Sequence, residues 1–132
     1  MTLVVPNSAE VLILGYILNK NAPTELNIKL YANDIIPSEA DTVSTYVEVS
    51  GGGYVEKQLT AASWSISAGN PSTSEHPQVP WVFSGVAGLV YGYYVVRRTG
   101  GELLWAERFT NGPYNIAQNG DEIRVTPRLN LE

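Results

Sequence analysis

Apolar and polar positions along the chain fall into short runs that change period several times. "LNIKLYA" (residues 26–32) alternates, with Leu26, Ile28, Leu30 and Ala32 on one side and Asn27, Lys29 and Tyr31 on the other, which is the period of a half-buried strand. Upstream, Val11, Leu14 and Leu18 form one stripe with Leu12 and Tyr16 beside it, and the spacing predicts a helix over residues 8–20. Ser8 is placed to cap that helix, Glu10 lies in its first turn, Lys20 lies in its last, and "NAP" (21–23) ends it. Gly15 sits in its interior at a cost of about 1 kcal/mol relative to Ala, which close packing would offset.

Downstream, "TVSTYVEV" (42–49) predicts a β-branched strand, broken by "SGGG" (50–53). "YVEKQLT" (54–60) and "SWSIS" (63–67) predict two more strands, with Trp64 and Ile66 pointing the same way. "AGNPSTSEHPQVP" (68–80) holds three prolines and few apolar residues, and it reads as a long loop. Extended structure resumes at "WVFSGV" (81–86), and "DEIRVTPRLNLE" (121–132) predicts a final strand pair or bent strand interrupted at Pro127. Seven or eight short strands with Gly, Pro and Asn punctuation and one early helix predict a mainly β fold, a small antiparallel β-sandwich or barrel. The whole chain, 1–132, is expected to form one domain, with an extended arm over 1–6 and a terminal strand over 121–132.

One segment breaks the simple pattern. "VYGYYVVRRTGGELLWAERF" (90–109) reads as two strands around Gly100-Gly101, but both of its faces are apolar. A two-residue loop sets Tyr94 across from Glu107 and Val96 across from Trp105. A three-residue loop sets Val95 across from Trp105 and Arg98 across from Glu102. In either register both faces need cover, because each large side chain left in water forgoes roughly 1.5–3 kcal/mol. Three covers are open: the helix at 8–20, a neighbouring subunit, or a ligand groove lined by Tyr91, Tyr93 and Trp105 that would stack sugars or bases.

The helix is the first expectation, since single helices often pack on sheets, and composition supports the neighbouring subunit as the second. Only 16% of residues are charged while 44% are apolar, so the surface is short of solvating charge. Net charge is −5 and the basic residues are scattered, which is the wrong distribution for tracking phosphates, and no nucleic-acid partner is expected. The longest apolar run is eight residues (11–18), too short for a helical membrane span, and "MTLVVPNSAE" lacks the basic start of a cleaved signal peptide.

Candidate chemistry is sparse. With no cysteine, thiolate metal sites, disulfides and cysteine nucleophiles are all excluded. His76 is the sole histidine, in a polar loop where it is expected to be solvated, and no G-x-S-x-G elbow accompanies it. Glu102 with Glu107, or Asp34 with Asp41, have the residue types of a glycosidase pair, but arginines near Glu102 and Glu107 make ion pairing on the sheet their expected role, and Asp34, Glu39 and Asp41 are expected in a solvated loop. Asp34, Glu39 and Asp41 lack the spacing of a calcium loop, and "GGGY" (51–54) lacks the helix and lysine of a phosphate cradle. No enzyme activity and no cofactor are expected.

Three stretches, "ILNKNAPTELNIKLYANDIIPSEADTVSTYVEV" (17–49), "VYGYYVVRRTGGELLWAERF" (90–109) and "NGDEIRVTPRLNLE" (119–132), resemble small virion proteins of tailed bacteriophages. The resemblance spans about half of the chain and rests on strand patterns. It implies a structural component such as a head-decoration, or cement, protein on the capsid surface, assembled in the host cytoplasm. The implied partners are the major capsid protein or other virion proteins and further copies of this chain, with a trimer expected. A tail, fibre or baseplate component is the alternative within that class, and a carbohydrate-binding β-module is the alternative outside it. The residues expected to make the contacts are Val4, Trp81, Tyr91, Tyr93 and Trp105. The two ends, "TLVVP" (2–6) and "RLNLE" (128–132), could add as strands to a neighbour or belong to the chain's own sheets.

Overall fold

The computed structural model describes residues 3–131. The chain begins with helix α1 (Asn7–Ile17) and continues through β1 (Leu26–Tyr31), β2 (Lys57–Leu59), β3 (Ser65–Ser67), β4 (Ser72–Glu75), β5 (Val79–Val82) and β6 (Gly88–Val90). It ends with β7 (Gly92–Arg97), β8 (Leu103–Arg108), β9 (Tyr114–Ile116), β10 (Glu122–Val125) and β11 (Arg128–Leu131). All pairings are antiparallel: a four-stranded sheet β2-β1-β7-β8, a three-stranded sheet β11-β4-β3, and the pairs β10-β5 and β6-β9. The architecture is the mainly β, sandwich-like fold with one N-terminal helix that the strand punctuation implies.

The main core lies on one side of the four-stranded sheet. Ile28 and Leu30 of β1, Val95 of β7, and Leu104 and Trp105 of β8 meet Trp81, Phe83, Val90, Ile116, Ile123 and Val125 from the smaller sheets. Trp81 donates its indole N–H to the Val55 carbonyl at 2.9 Å, so its one polar atom is satisfied. Pro127 marks the change of partner between β10, which pairs with β5, and β11, which pairs with β4.

The hairpin adopts the second of the two registers and then adds a bulge. Gly92 pairs with Arg108 and Val95 with Trp105, but Val96 pairs with Leu103, which leaves Leu104 as the extra residue. Arg97 and Glu102 close the ladder, the Arg97 N–H donating to the Glu102 carbonyl at 3.0 Å, around a turn in which Gly100 and Gly101 take φ of +96° and +77°. Gly92 is required by close approach, since a Cβ there would lie 2.3 Å from the Glu107 carbonyl oxygen and 2.6 Å from the Tyr31 ring.

Among the described residues, what covers the hairpin's second face is neither the helix nor a strand. Tyr31, Tyr94, Val96, Leu103 and Ala106 form a separate cluster there, closed by Tyr46 and Ile35 from the segment between β1 and β2. Tyr46 stacks on Tyr94 with centroids 5.0 Å apart and meets Tyr31 edge-on at 5.0 Å. The strand predicted over 42–49 is therefore a cover. Val43–Thr45 is a 3-10 turn, and only Glu48 keeps a β-bridge, to Tyr31. Side chains hold this shape: Asn33 donates from Nδ2 to the Thr45 carbonyl at 2.9 Å and accepts from the Val47 N–H at 2.9 Å. Thr45 Oγ1 accepts from the Thr42 N–H at 3.1 Å, and Asp41 accepts the Tyr46 hydroxyl at 2.8 Å. Such local bonds offer the backbone an alternative to a sheet ladder.

The loop expected over 68–80 contains β4, the central strand of the three-stranded sheet. His76, expected in solvent, is buried at the end of that strand. Its Nδ1–H donates to the Pro77 carbonyl at 2.8 Å, its backbone N–H donates to the Pro127 carbonyl at 3.0 Å, and its ring meets Trp64 edge-on at 5.4 Å.

Candidate functional site

The residues expected to face a partner are largely interior. Trp81, Tyr93 and Trp105 are buried in the chain's own core, and Tyr91 is half-buried beneath the Arg108 guanidinium, 5.1 Å from its ring centroid. Val4 is half-buried and exchanges two backbone hydrogen bonds with Ala106, at 2.9 and 3.0 Å, so the N-terminal arm extends the chain's own four-stranded sheet along β8. Residues 128–131 likewise pair with β4. The aromatic strip is therefore not a surface, because the segment around Tyr46 and the main core cover the hairpin from either side.

Among the described residues α1 and its C-cap residue carry four of the exposed large apolar side chains, and others, Ile36, Ile66, Val82, Val86 and Leu131 among them, lie elsewhere on the surface. Ala9 and Gly15 are its buried residues, and their small size lets the helix lie close to β8, with Ala9 inside the main core. Gly15 also leaves room for Asn21, whose side chain occupies the space a Cβ would take. The helix starts after Pro6 rather than at a Ser8 cap, and it stops at Ile17 instead of 20. Its end is a Schellman turn: Asn19 takes φ of +56°, its N–H donates to the Tyr16 carbonyl at 3.2 Å, and the Lys20 N–H reaches the Gly15 carbonyl at 2.8 Å. The predicted stripe of Val11, Leu14 and Leu18 points outward, 67%, 58% and 62% exposed, and Ile17 is 74% exposed. A helix that is apolar on both its inner and outer faces is the pattern of a buried helix rather than a surface one.

Of the carboxylates singled out as candidate chemistry, Glu102, Asp34 and Asp41 serve structure, whereas Glu107, expected to pair with a neighbouring arginine, joins no ion pair among the described residues. Glu102 pairs with Arg97, Asp34 with Arg108 at 2.7 Å, and Asp41 holds Tyr46 and the Ser38 N–H at 2.9 Å. Among the described residues no group of three His, Asp or Glu is placed to hold a metal ion. Burial pushes the phenols of Tyr31, Tyr46, Tyr54, Tyr93 and Tyr94 well above the ordinary tyrosine range, so these are neutral packing groups. Among the described residues no helix is long and apolar enough to cross a membrane.

A mainly β, sandwich-like fold with one N-terminal helix packed against β8 is thus the class that the fold defines. Comparison of the chain with family models, with curated proteins and with solved structures finds no match.

Proposed function

We propose that the chain is a structural protein of a bacteriophage virion, a head-decoration protein that stabilises the shell by bridging major capsid subunits, assembling as a small homo-oligomer such as a trimer. The observation that carries this reading is the outward apolar face of α1. Four large aliphatic side chains held in water by a fold with ample core elsewhere are a contact surface awaiting a partner. The sequence resemblance supplies the kind of partner. The mechanism is additive contact area: burying this face clamps neighbouring subunits, with no chemical step. The carbohydrate-binding alternative is the weaker reading, since Trp81, Tyr93 and Trp105 expose only 2%, 3% and 4% of their surface.

The test is to quantify the chain by mass spectrometry in purified virions and in heads freed of tails, and to heat particles with and without it. The expected result is a fixed copy number on heads and earlier DNA release when the chain is missing. Absence from virions overturns the reading, and presence only in tails replaces the decoration role with a tail role.

A further inference from the structure

Two recesses run between α1 and β11. The inner one, about 380 Å³, is walled by Tyr16, Trp64, Leu104 and Trp105, and the outer one, about 810 Å³, by Leu14, Leu131, Glu10 and Glu107. Val5, Ile13 and Leu129 line both, so the two form one continuous apolar groove.

One wall of this groove is an open sheet edge. β11 is the outer strand of the order β11-β4-β3, with Arg128 opposite Glu75 and Asn130 opposite Thr73. The bond from the His76 N–H to the Pro127 carbonyl shows that position 127 faces β4, and the antiparallel alternation then turns the backbone N–H and C=O of Arg128 and Asn130 away from β4. Both residues line the groove. Its mouth is acidic: among the described residues neither Glu10 nor Glu107 joins an ion pair, whereas Arg128, the cation in the same wall, is held by Glu75 at 2.7 Å.

We infer that this groove docks an extended segment of a partner protein, added as a strand on β11, with a large apolar side chain in the inner recess and a Lys or Arg set against Glu10 and Glu107. Backbone bonds to an open edge supply affinity, and pockets beside it supply specificity, as in other strand additions. A large apolar anchor in a dry recess is the usual centre of such an interface. Charge disfavours a second copy as the occupant. It would bring the same acidic mouth, and its own β11 offers only an arginine already paired to Glu75. The inference rests on the virion reading for the partner's location, while the groove's chemistry stands on its own.

The test is selection from a displayed library of random dodecapeptides on the full chain, followed by tryptophan-fluorescence titration of the enriched peptides. The expected consensus has apolar residues at alternate positions with one large anchor and one Lys or Arg. Asn130→Pro removes an N–H that points away from β4, so the fold should persist by circular dichroism while peptide affinity falls at least tenfold. If that variant fails to fold, Glu10→Lys with Glu107→Lys serves instead and is expected to switch the selected charge from basic to acidic. A consensus with helical spacing or no cation overturns the inference. So does unchanged binding by folded Asn130→Pro, an unswitched consensus, or light scattering in which folded Asn130→Pro is a monomer while the unaltered chain is an oligomer, which would put a second copy on the edge. Failure to select peptides leaves the head assignment standing, and absence from virions leaves the peptide result standing.

Discussion

Tyr46→Ala is the most direct perturbation of the cover over the hairpin. Tyr46 is buried, stacks on Tyr94, meets Tyr31 edge-on and donates its hydroxyl to Asp41. Truncating a large buried aromatic costs about 3–5 kcal/mol, and the two ring contacts place this site toward the upper part of that range. Tyr46→Phe keeps both ring contacts and loses only the bond to Asp41, a cost of about 0.5–1.5 kcal/mol. Native domains of this size hold only about 5–15 kcal/mol in total, so the alanine change removes a large fraction of the stability. Urea unfolding followed by tryptophan fluorescence measures both, with the midpoint of Tyr46→Ala expected well below that of Tyr46→Phe. If Tyr46→Ala costs less than about 1 kcal/mol, or no more than Tyr46→Phe, the loop is not what covers this face, and the structural argument against a hairpin interface fails.

Three further outcomes follow from the same structure. Burial raises the five interior phenols, so above their ordinary value of 10.0 the unfolded chain deprotonates first and binds fewer protons than the folded one. Stability is therefore intact below pH 10 and falls above it by up to about 1.4 kcal/mol per pH unit for each phenol, and tyrosinate absorbance should rise together with loss of β circular dichroism. Gly92→Ala should cost about 1–3 kcal/mol by urea unfolding, because its methyl group meets both the Glu107 carbonyl and the Tyr31 ring; a neutral result would refute the tight approach. Leu14→Lys and Ile17→Lys should change stability by less than about 0.5 kcal/mol while weakening attachment to particles, whereas a large loss of stability would mean this face is packed in the free chain.

Much of the fold is legible in the sequence, and the surface is not. The alternation of β1 identifies its core side correctly, since Ile28 and Leu30 enter the main core while Lys29 reaches Glu48 and Glu56 at 3.7 and 3.6 Å. The doubly apolar hairpin also reads correctly as needing two covers. What covers it does not read, because "TVSTYVEV" has strand composition and only the tertiary placement of Asn33 and Asp41 bends it into a cap. The orientation of α1 is illegible for a different reason. The periodicity marks Val11, Leu14 and Leu18 as a stripe, but Leu12, Ile13 and Tyr16 make a second apolar side, and the choice of inward face falls to the small Ala9 and Gly15. β4, with sequence "STSE", carries no hydrophobic signal because its side chains are half-buried or exposed, and it is held in place by backbone pairing with β11 and β3. The burial of His76 follows from that same pairing.

The claim that contact runs through the helix side and not the hairpin is tested most directly by radical footprinting of the chain, free and on purified particles. The expected pattern is modification of Leu14, Ile17, Leu18 and Leu131 in the free chain, protection of those residues on particles, and Tyr93 and Trp105 silent in both. Reactive Tyr93 and Trp105 in the free chain that become protected only on particles would contradict the account.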